Sequence, residues 1–338
     1  EVMMMDIVAN NDWKRGIFFS SSRGSSFSVA LLSSGFIKQV GMAYELSPLK
    51  EEPMFYNVSK MLKNMMNVYE YGDMANPDVL TDYYARRHTV QYRSNFLLLA
   101  EQLLNRKQKS KAIQVLDYSL KLMPLETVLD FGEVNSCDPF MSLKYNEPDE
   151  EYNYQGQTIR AKCSGSLHEY VQLYYLAGEK AKAEALGQKL LANFHSVFAY
   201  FDHSDATFAG NPENAEDLIA AMDACFKMNA LAQNKQYGSP NSAFAKGLKA
   251  EINHVYKEML PRIYRELDQL ASENGEIGDG TGAYSEMIAN LQVYMGAMAE
   301  HYGLIKARNI QQTVAEPNAQ TIDPSVLLQG AKPSDTIR

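Results

Sequence analysis

Apolar positions recur at helical spacing along most of the chain and at strand spacing only near its front. Met54, Val58, Met61, Leu62, Met65 and Tyr69 fall on one helical face, with Gly72 placed to close it. Ahead of them, Met3 to Asn10 has the pattern of a helix end, and Gly16 to Ser20 that of a short aromatic-rich strand. Val29 to Val40 carries Leu32, Phe36 and Ile37 at helical intervals. Met42 to Leu46 alternates as a second strand, stopped by Pro48. Two strands joined through a helix predict a parallel pair with a right-handed crossover. That piece, residues 1–50, is too small to stand alone and must pack on another part of the chain.

The most specific internal pattern begins at Phe96. Phe96, Leu99, Ala100 and Leu103, then Ala112 and Leu116, then Pro124, fit the tetratricopeptide helix–turn–helix template in size class. The large side chains fill the gap between two helices, and the small Ala100 and Ala112 let the backbones approach. Asn105 to Lys109 supplies a polar turn. A looser copy places Leu167, Tyr170, Val171 and Tyr174 on one helix, Gly178 at the turn, and Ala183, Leu186 and Leu190 on the next. Such hairpins bury one another's apolar faces and cannot do so singly. The predicted fold is therefore mainly α: a tetratricopeptide-like array of helical hairpins over 51–210, behind a small α/β piece of two short strands and a helix. Between the copies, 125–165 reads as an irregular acidic insertion, expected to pack on the helices.

Further helices are predicted over 211–310. Asn211-Pro212-Glu213 is a well-formed start, with Leu218, Ile219, Met222, Cys225 and Phe226 turned inward and Tyr237-Gly238 as the end. A long helix comes after Ser242, carrying Phe244, Leu248, Ile252, Val255 and Met259 on one face, and Pro261 should kink or split it. A last strong helix runs from Ala283 to Tyr302, with Met287, Ile288, Leu291, Met295 and Met298 in one stripe. Residues 311–338 lose all periodicity and read as an extended tail.

Composition narrows the classes of function. Hydrophobic residues at 46% and charged residues at 22% are those of an ordinary globular protein. A net charge of −9 argues against a nucleic-acid partner, which needs a concentrated basic face. No run of about 18 apolar residues is present, so none of these segments is expected to span a bilayer. Cys137, Cys163 and Cys225 match no metal-binding spacing; a single disulfide across the acidic insertion and idle buried thiols both remain open.

Candidate chemistry is sparse. The Gly-rich run from Glu273 to Gly282 lacks the lysine of a phosphate loop and is not preceded by a strand, so a plain helix–helix connection is expected. His195, Asp202, His203 and Asp205 lie close in sequence, but not with two ligands one helical turn apart, and no metal site is expected from them. The acids from Glu147 to Glu151 fit a solvated loop better than a rigid catalytic pair. No cofactor motif and no catalytic residue can be nominated. The densest aromatic and basic cluster holds Tyr83, Tyr84, Arg86, Arg87, His88, Tyr92 and Arg93. Aromatic faces beside guanidinium forks suit a peptide, carboxylate or sugar. Tyr83, Tyr84, Arg86, Arg87, Tyr92 and Arg93 are the candidate binding residues, set against the plainer role of packed tyrosines and solvated arginines.

Three stretches carry a family resemblance: the front run Asp6 to Phe19 with its Trp13-Lys14-Arg15, the segment Tyr44 to Lys50, and Arg93-Ser94-Asn95-Phe96-Leu97-Leu98-Leu99-Ala100-Glu101. Together they resemble the soluble C-terminal region of a bacterial family of large membrane proteins whose membrane half looks like a protein O-mannosyltransferase. The likeness covers about the first 125 residues, continues weakly to the hairpin at Gly178, and gives nothing beyond residue 210. The acidic insertion departs from the family pattern. The resemblance implies that a chain opening on Glu1 is the tail of a longer polypeptide, with its chemistry upstream and its place on the periplasmic face of the inner membrane. Its implied partners are the membrane-embedded half of the same polypeptide and acceptor proteins or peptides. Its implied role is non-catalytic, to hold or orient the acceptor or to brace the membrane half. Two alternatives are a free-standing periplasmic adaptor that binds peptides in a helical groove, and a hydrolase that uses the acidic loop and would need two ordered carboxylates facing a pocket.

Overall fold

Helices α1 (Val2–Asn10) and α2 (Ser26–Ser33) alternate along the chain with the strands of a three-stranded sheet, β1 (Ile17–Phe19), β2 (Ile37–Gln39) and β3 (Tyr44–Leu46). The computed structural model describes residues 1–20, 25–48, 56–79, 82–125, 150–154, 157–161, 167–276 and 282–304, with backbone alone at 83–87, 150–154, 157–161 and 213. The sheet differs from the expected parallel pair. Its order is β1-β3-β2, and β3 runs antiparallel to both neighbours, with Leu46 opposite Ile17 on one side and Ile37 on the other.

The reason lies at Gly35. Its φ of +81° ends α2 early, with Gly35 N–H donating to the Leu32 carbonyl and Phe36 N–H to that of Leu31. This paired helix stop favours glycine because a β-carbon is penalised there. Ile37 to Gln39 is thereby released as a strand, turns back through Gly41, and reverses the direction of everything after it. The helical spacing over Val29 to Val40 concealed that third strand. The sheet is bound firmly to the helices behind it. Gln39, only 7% exposed, donates its amide to the Gly41 carbonyl and to Asn95 Oδ1, at 2.8 and 2.7 Å. Asn64 donates to the Val40 carbonyl at 2.8 Å, and Lys60 meets Glu45 at 2.6 Å.

The remainder is mainly helical. Helix α3 (Val58–Asn67), started by the Asn57 side chain, buries Val58, Met61 and Met65. Next comes a hairpin of α4 (Tyr83–Asn105) and α5 (Lys109–Leu122). Phe96, Leu99, Ala100, Leu103, Ala112 and Leu116 are all buried between them, as their spacing predicted. A second hairpin, α6 (Leu167–Ala177) and α7 (Lys180–His203), buries Tyr170, Val171, Tyr174, Ala183, Leu186 and Leu190. Both hairpins turn in the same way. Lys107 at φ +60° and Gly178 at φ +94° occupy equivalent left-handed positions after the first helix of each pair. Pro124 comes just after the second helix of the first hairpin.

Beyond the short helix α8 (Ala206–Gly210) lie α9 (Pro212–Gln233) and α10 (Ala243–His254), the latter capped by Ser242 accepting from Ala245 N–H. The long rod expected after Ser242 is continuous. A π-turn over Val255–Met259 leads into α11 (Leu260–Glu273), which carries Pro261 at its start. The wider turn accommodates both the proline ring and its missing donor. Helix α12 (Ala283–His301) packs on α11, and Gly303 at φ +72° ends it.

Each hairpin packs on the next: α4 and α5 on α6, α6 and α7 on α9, and α9 on α12. Gly187 is what allows α10 to seat on α7, since a β-carbon there would overlap the Phe244 ring. The insertion also holds regular structure. Two antiparallel strands, β4 (Glu150–Tyr154) and β5 (Gln157–Ala161), pair over their length, and β4 lies against α12. Residues 126–149 of the insertion, with Glu147 to Asp149 and Cys137, lie outside the described residues, as do Cys163 and the tail expected over 311–338. Glu1–Leu304 forms one compact unit. No described helix is long and apolar enough to cross a membrane.

Candidate functional site

Helix α4 carries the aromatic and basic cluster singled out by the sequence. Tyr83, Tyr84, Arg86 and Arg87 belong to its opening turns, and their side chains lie outside the described residues. Arg93 sits inside the protein, 1% exposed, and its Nη2 donates to the Met123 carbonyl at 3.2 Å. That carbonyl is at the end of α5, where no helical donor remains, so the guanidinium closes the first hairpin. Tyr92 is half-buried and meets Tyr71 edge-on at 5.9 Å; Tyr71 in turn lies 5.5 Å from the Phe96 ring. Tyr92 and Arg93 therefore face the packing seam of the first hairpin.

The four polar residues near the end of α7 take separate partners. His195 Nδ1 meets Glu251 at 2.7 Å, and His203 Nδ1 meets the Ala199 carbonyl at 2.7 Å. Asp202 lies 3.3 Å from His254, which also contacts Glu258 at 3.0 Å. Asp205 caps α8 by accepting from Thr207 N–H and Oγ1; these bonds hold its carboxyl below the usual range. Among the described residues, no three His, Cys, Asp or Glu side chains are close enough to share a metal ion.

Periodicity gave no notice of a buried polar knot in the core. Asp223 on α9 is fully buried; Lys227, one turn on, meets it at 3.0 Å, and the Tyr302 hydroxyl donates to it at 3.3 Å. The Tyr302 ring stacks on Phe226 at 4.8 Å. His168 on α6 is 2% exposed; burial, and then the Lys227 charge, push its imidazole down to about 3, with Asp223 opposing. The only available hint was polar residues placed among the apolar ones of α6 and α9. Cys225 is buried beside them, and burial pushes its thiol up.

A cleft of about 660 Å³ opens where α8, the start of α9, the end of α11 and the start of α12 converge. Gly210 permits that convergence, since a β-carbon would come within 2.9 Å of Leu267 and 3.3 Å of Met287. Phe208 stands 38% exposed on the rim, with the more exposed Tyr200 ring edge-on at 5.7 Å. Asn214 donates its amide to the Phe208 carbonyl at 3.1 Å, and Asn274 donates to the Leu270 carbonyl at 2.8 Å. Helix α12 starts at Gly282, which has no side chain to cap it. Glu276 reaches across instead, its Oε2 accepting from Tyr284 N–H at 3.1 Å. A β-carbon at Gly282 would overlap that carboxyl group. Glu276 and Gly282 flank the Gly-rich connection seen in the sequence, whose residues 277–281 lie outside the described residues. Neither Asn214 nor Tyr284 stood out in the sequence, because their convergence depends on hairpins far apart in the chain.

Comparison with known proteins bears on the front of the chain. A family model described as TMEM260-associated domain 2 matches residues 1–68, the span of α1, the sheet and α3. The match relates this part to a glycosyltransferase-like membrane protein. No curated protein and no solved structure matches the chain.

Proposed function

We propose that the chain is a non-catalytic domain of a membrane-embedded, O-mannosyltransferase-like protein, and that it holds or orients acceptor proteins for the membrane half on the periplasmic side. Helix α1 carries this reading. It buries none of its residues, and Val2, Met3 and Ile7 stand 81%, 77% and 53% exposed within the stretch matched by the family model. Apolar α1 runs directly into Trp13-Lys14-Arg15, with Trp13 44% exposed and Phe18 56% exposed nearby. An apolar helix followed by an exposed aromatic side chain suits a segment leaving a bilayer through its headgroups; the basic pair by itself favours the cytoplasmic face, so the periplasmic side is taken from the family resemblance. Behind it, a stack of tetratricopeptide-type hairpins offers the broad helical surface on which repeat scaffolds bind protein segments.

Removing residues 58–304 from the full-length protein, with the membrane half intact, tests the idea. Transfer to protein acceptors should fall strongly, while the protein's level in the membrane is unchanged. Unaltered glycosylation counts against it. The rival adaptor reading is separated by the upstream reading frame: several hydrophobic spans before Glu1 support the domain, and a cleavable signal supports the adaptor.

A further inference from the structure

We propose that the outer edge of β1 takes an acceptor polypeptide as an added strand, held through the backbone at Phe18. The ladder fixes which way Phe18 points. Ser47 N–H donates to the Phe36 carbonyl at 2.8 Å, and Val40 N–H to the Ala43 carbonyl at 2.9 Å, so Ser47, Glu45 and Ala43 turn their backbone groups towards β2. Leu46 and Tyr44, in alternation with them, turn theirs towards Ile17 and Phe19 of β1. The N–H and carbonyl of Phe18 therefore point out of the sheet, and among the described residues neither has a partner.

The opposite edge is closed. Gln39 of β2 pairs with Tyr56, and its carbonyl accepts from Asn57 N–H at 2.9 Å. An edge left open is ordinarily blunted by a charged side chain, a proline or a bulge. Ile17-Phe18-Phe19 has none of these, and the Phe18 side chain is 56% exposed. A β-carbon at Gly16 would lie 2.8 Å from the Phe18 ring, so the ring lies back along the strand and flanks the edge without covering it.

The occupant follows from what such an edge can read. Main-chain bonds select an extended backbone and leave the side chains largely free, which suits acceptor segments of differing sequence. A second copy of this chain is the poorer occupant. Pairing β1 with itself joins three residues a side, against roughly 20–30 a side in a stable interface. A strand held over so short a length is released readily, as an acceptor must be.

This inference rests on the proposed function and deepens it, yet its first test needs no transfer reaction. The 338-residue chain is titrated, by fluorescence anisotropy, with a labelled, capped heptapeptide alternating threonine and valine, and with its counterpart N-methylated at every residue. The unmodified peptide should bind at least tenfold more tightly. Phe18→Pro should weaken it at least tenfold, because it removes the outward donor alone; proline is accepted on an edge whose N–H faces solvent. An unchanged melting temperature verifies that β1 still pairs with β3, and if it falls, the N-methylated peptide decides. Phe18→Leu keeps the donor and should bind within about threefold of the parent chain. Equal binding of the two peptides, binding of neither, or indifference to Phe18→Pro overturns the proposal. So does a concentration-dependent dimer that Phe18→Pro dissolves while no peptide binds, which gives the edge to a second copy. Residues 58–304 carry Asn64 and Asn95, which brace the sheet. In the full-length protein, transfer that falls on their deletion but not with Phe18→Pro removes the edge alone. Peptide binding that survives while transfer ignores the deletion removes the transferase link alone.

Discussion

Tyr174 of α6 donates its hydroxyl to Asp117 of α5 at 2.7 Å, joining one helical hairpin to the next. Lys182, from the second helix of the later hairpin, meets the other carboxylate oxygen at 2.5 Å. The tyrosine is 2% exposed, and burial, followed by its bond to Asp117, raises its hydroxyl pKa far above the ordinary value. The two contacts differ in strength for a physical reason. Tyr174→Phe should destabilise the protein by about 1 kcal/mol, the typical loss for one buried hydrogen bond. Lys182→Ala should cost well under about 1 kcal/mol, because its ion pair is roughly 40% exposed on both sides and solvent screens it. Paired urea unfolding curves separate the two.

The common turn of the two hairpins supplies a gain-of-stability test. Lys107 holds a φ of +60° where the later hairpin has Gly178. A left-handed backbone costs a non-glycine residue about 1 kcal/mol. Lys107→Gly should therefore stabilise the chain by up to about 0.6 kcal/mol, after about 0.4–1 kcal/mol for the added entropy of the unfolded glycine is subtracted. Gly178→Ala should move the other way. Thermal melts of the two variants should diverge in sign.

Acid should weaken the core through His168. Its unfolded value is 6.5 and its folded value about 3. Between these, the unfolded chain takes a proton that the folded chain refuses. Stability is full above pH 6.5 and falls as pH is lowered towards 3, by up to about 1.4 kcal/mol per pH unit from this group. Unfolding free energies measured at intervals from pH 7 to pH 4 should show that slope. His168→Gln, whatever its cost at pH 7, should flatten it; an unaltered slope refutes the assignment.

Gly187→Ala should cost about 1–3 kcal/mol, because the added methyl group overlaps the Phe244 ring and α10 must shift. A companion Phe244→Leu change on that background should recover part of the loss. Simple additivity of the two would mean that the contact is not the cause.

The features legible in the sequence are those that periodicity can encode. Phe96, Leu99, Ala100 and Leu103 lie buried against Ala112 and Leu116 because spacing on a helix determines the face. Ser242 marks a helix start where capping chemistry put it. The third strand escaped notice because Ile37 suits helical and extended spacing equally, and only the stop at Gly35 separates the two. The π-turn before Pro261 was equally silent, since a proline shows that a helix must adjust but not how. Arg93 illustrates the limit for sites. A guanidinium near tyrosines suggested recognition at a surface, whereas its nearest task is to serve the carbonyl at Met123. The cleft was illegible for the opposite reason, as Asn214, Asn274 and Tyr284 are ordinary until three separate helix ends meet.

The buried amide of Gln39, shared between Gly41 and Asn95, leaves no swivel between the sheet and the helices behind it. Asn64 and the Lys60–Glu45 pair lock the same junction from the side. Whatever tilts the sheet therefore tilts α3 and α4 with it, as one lever.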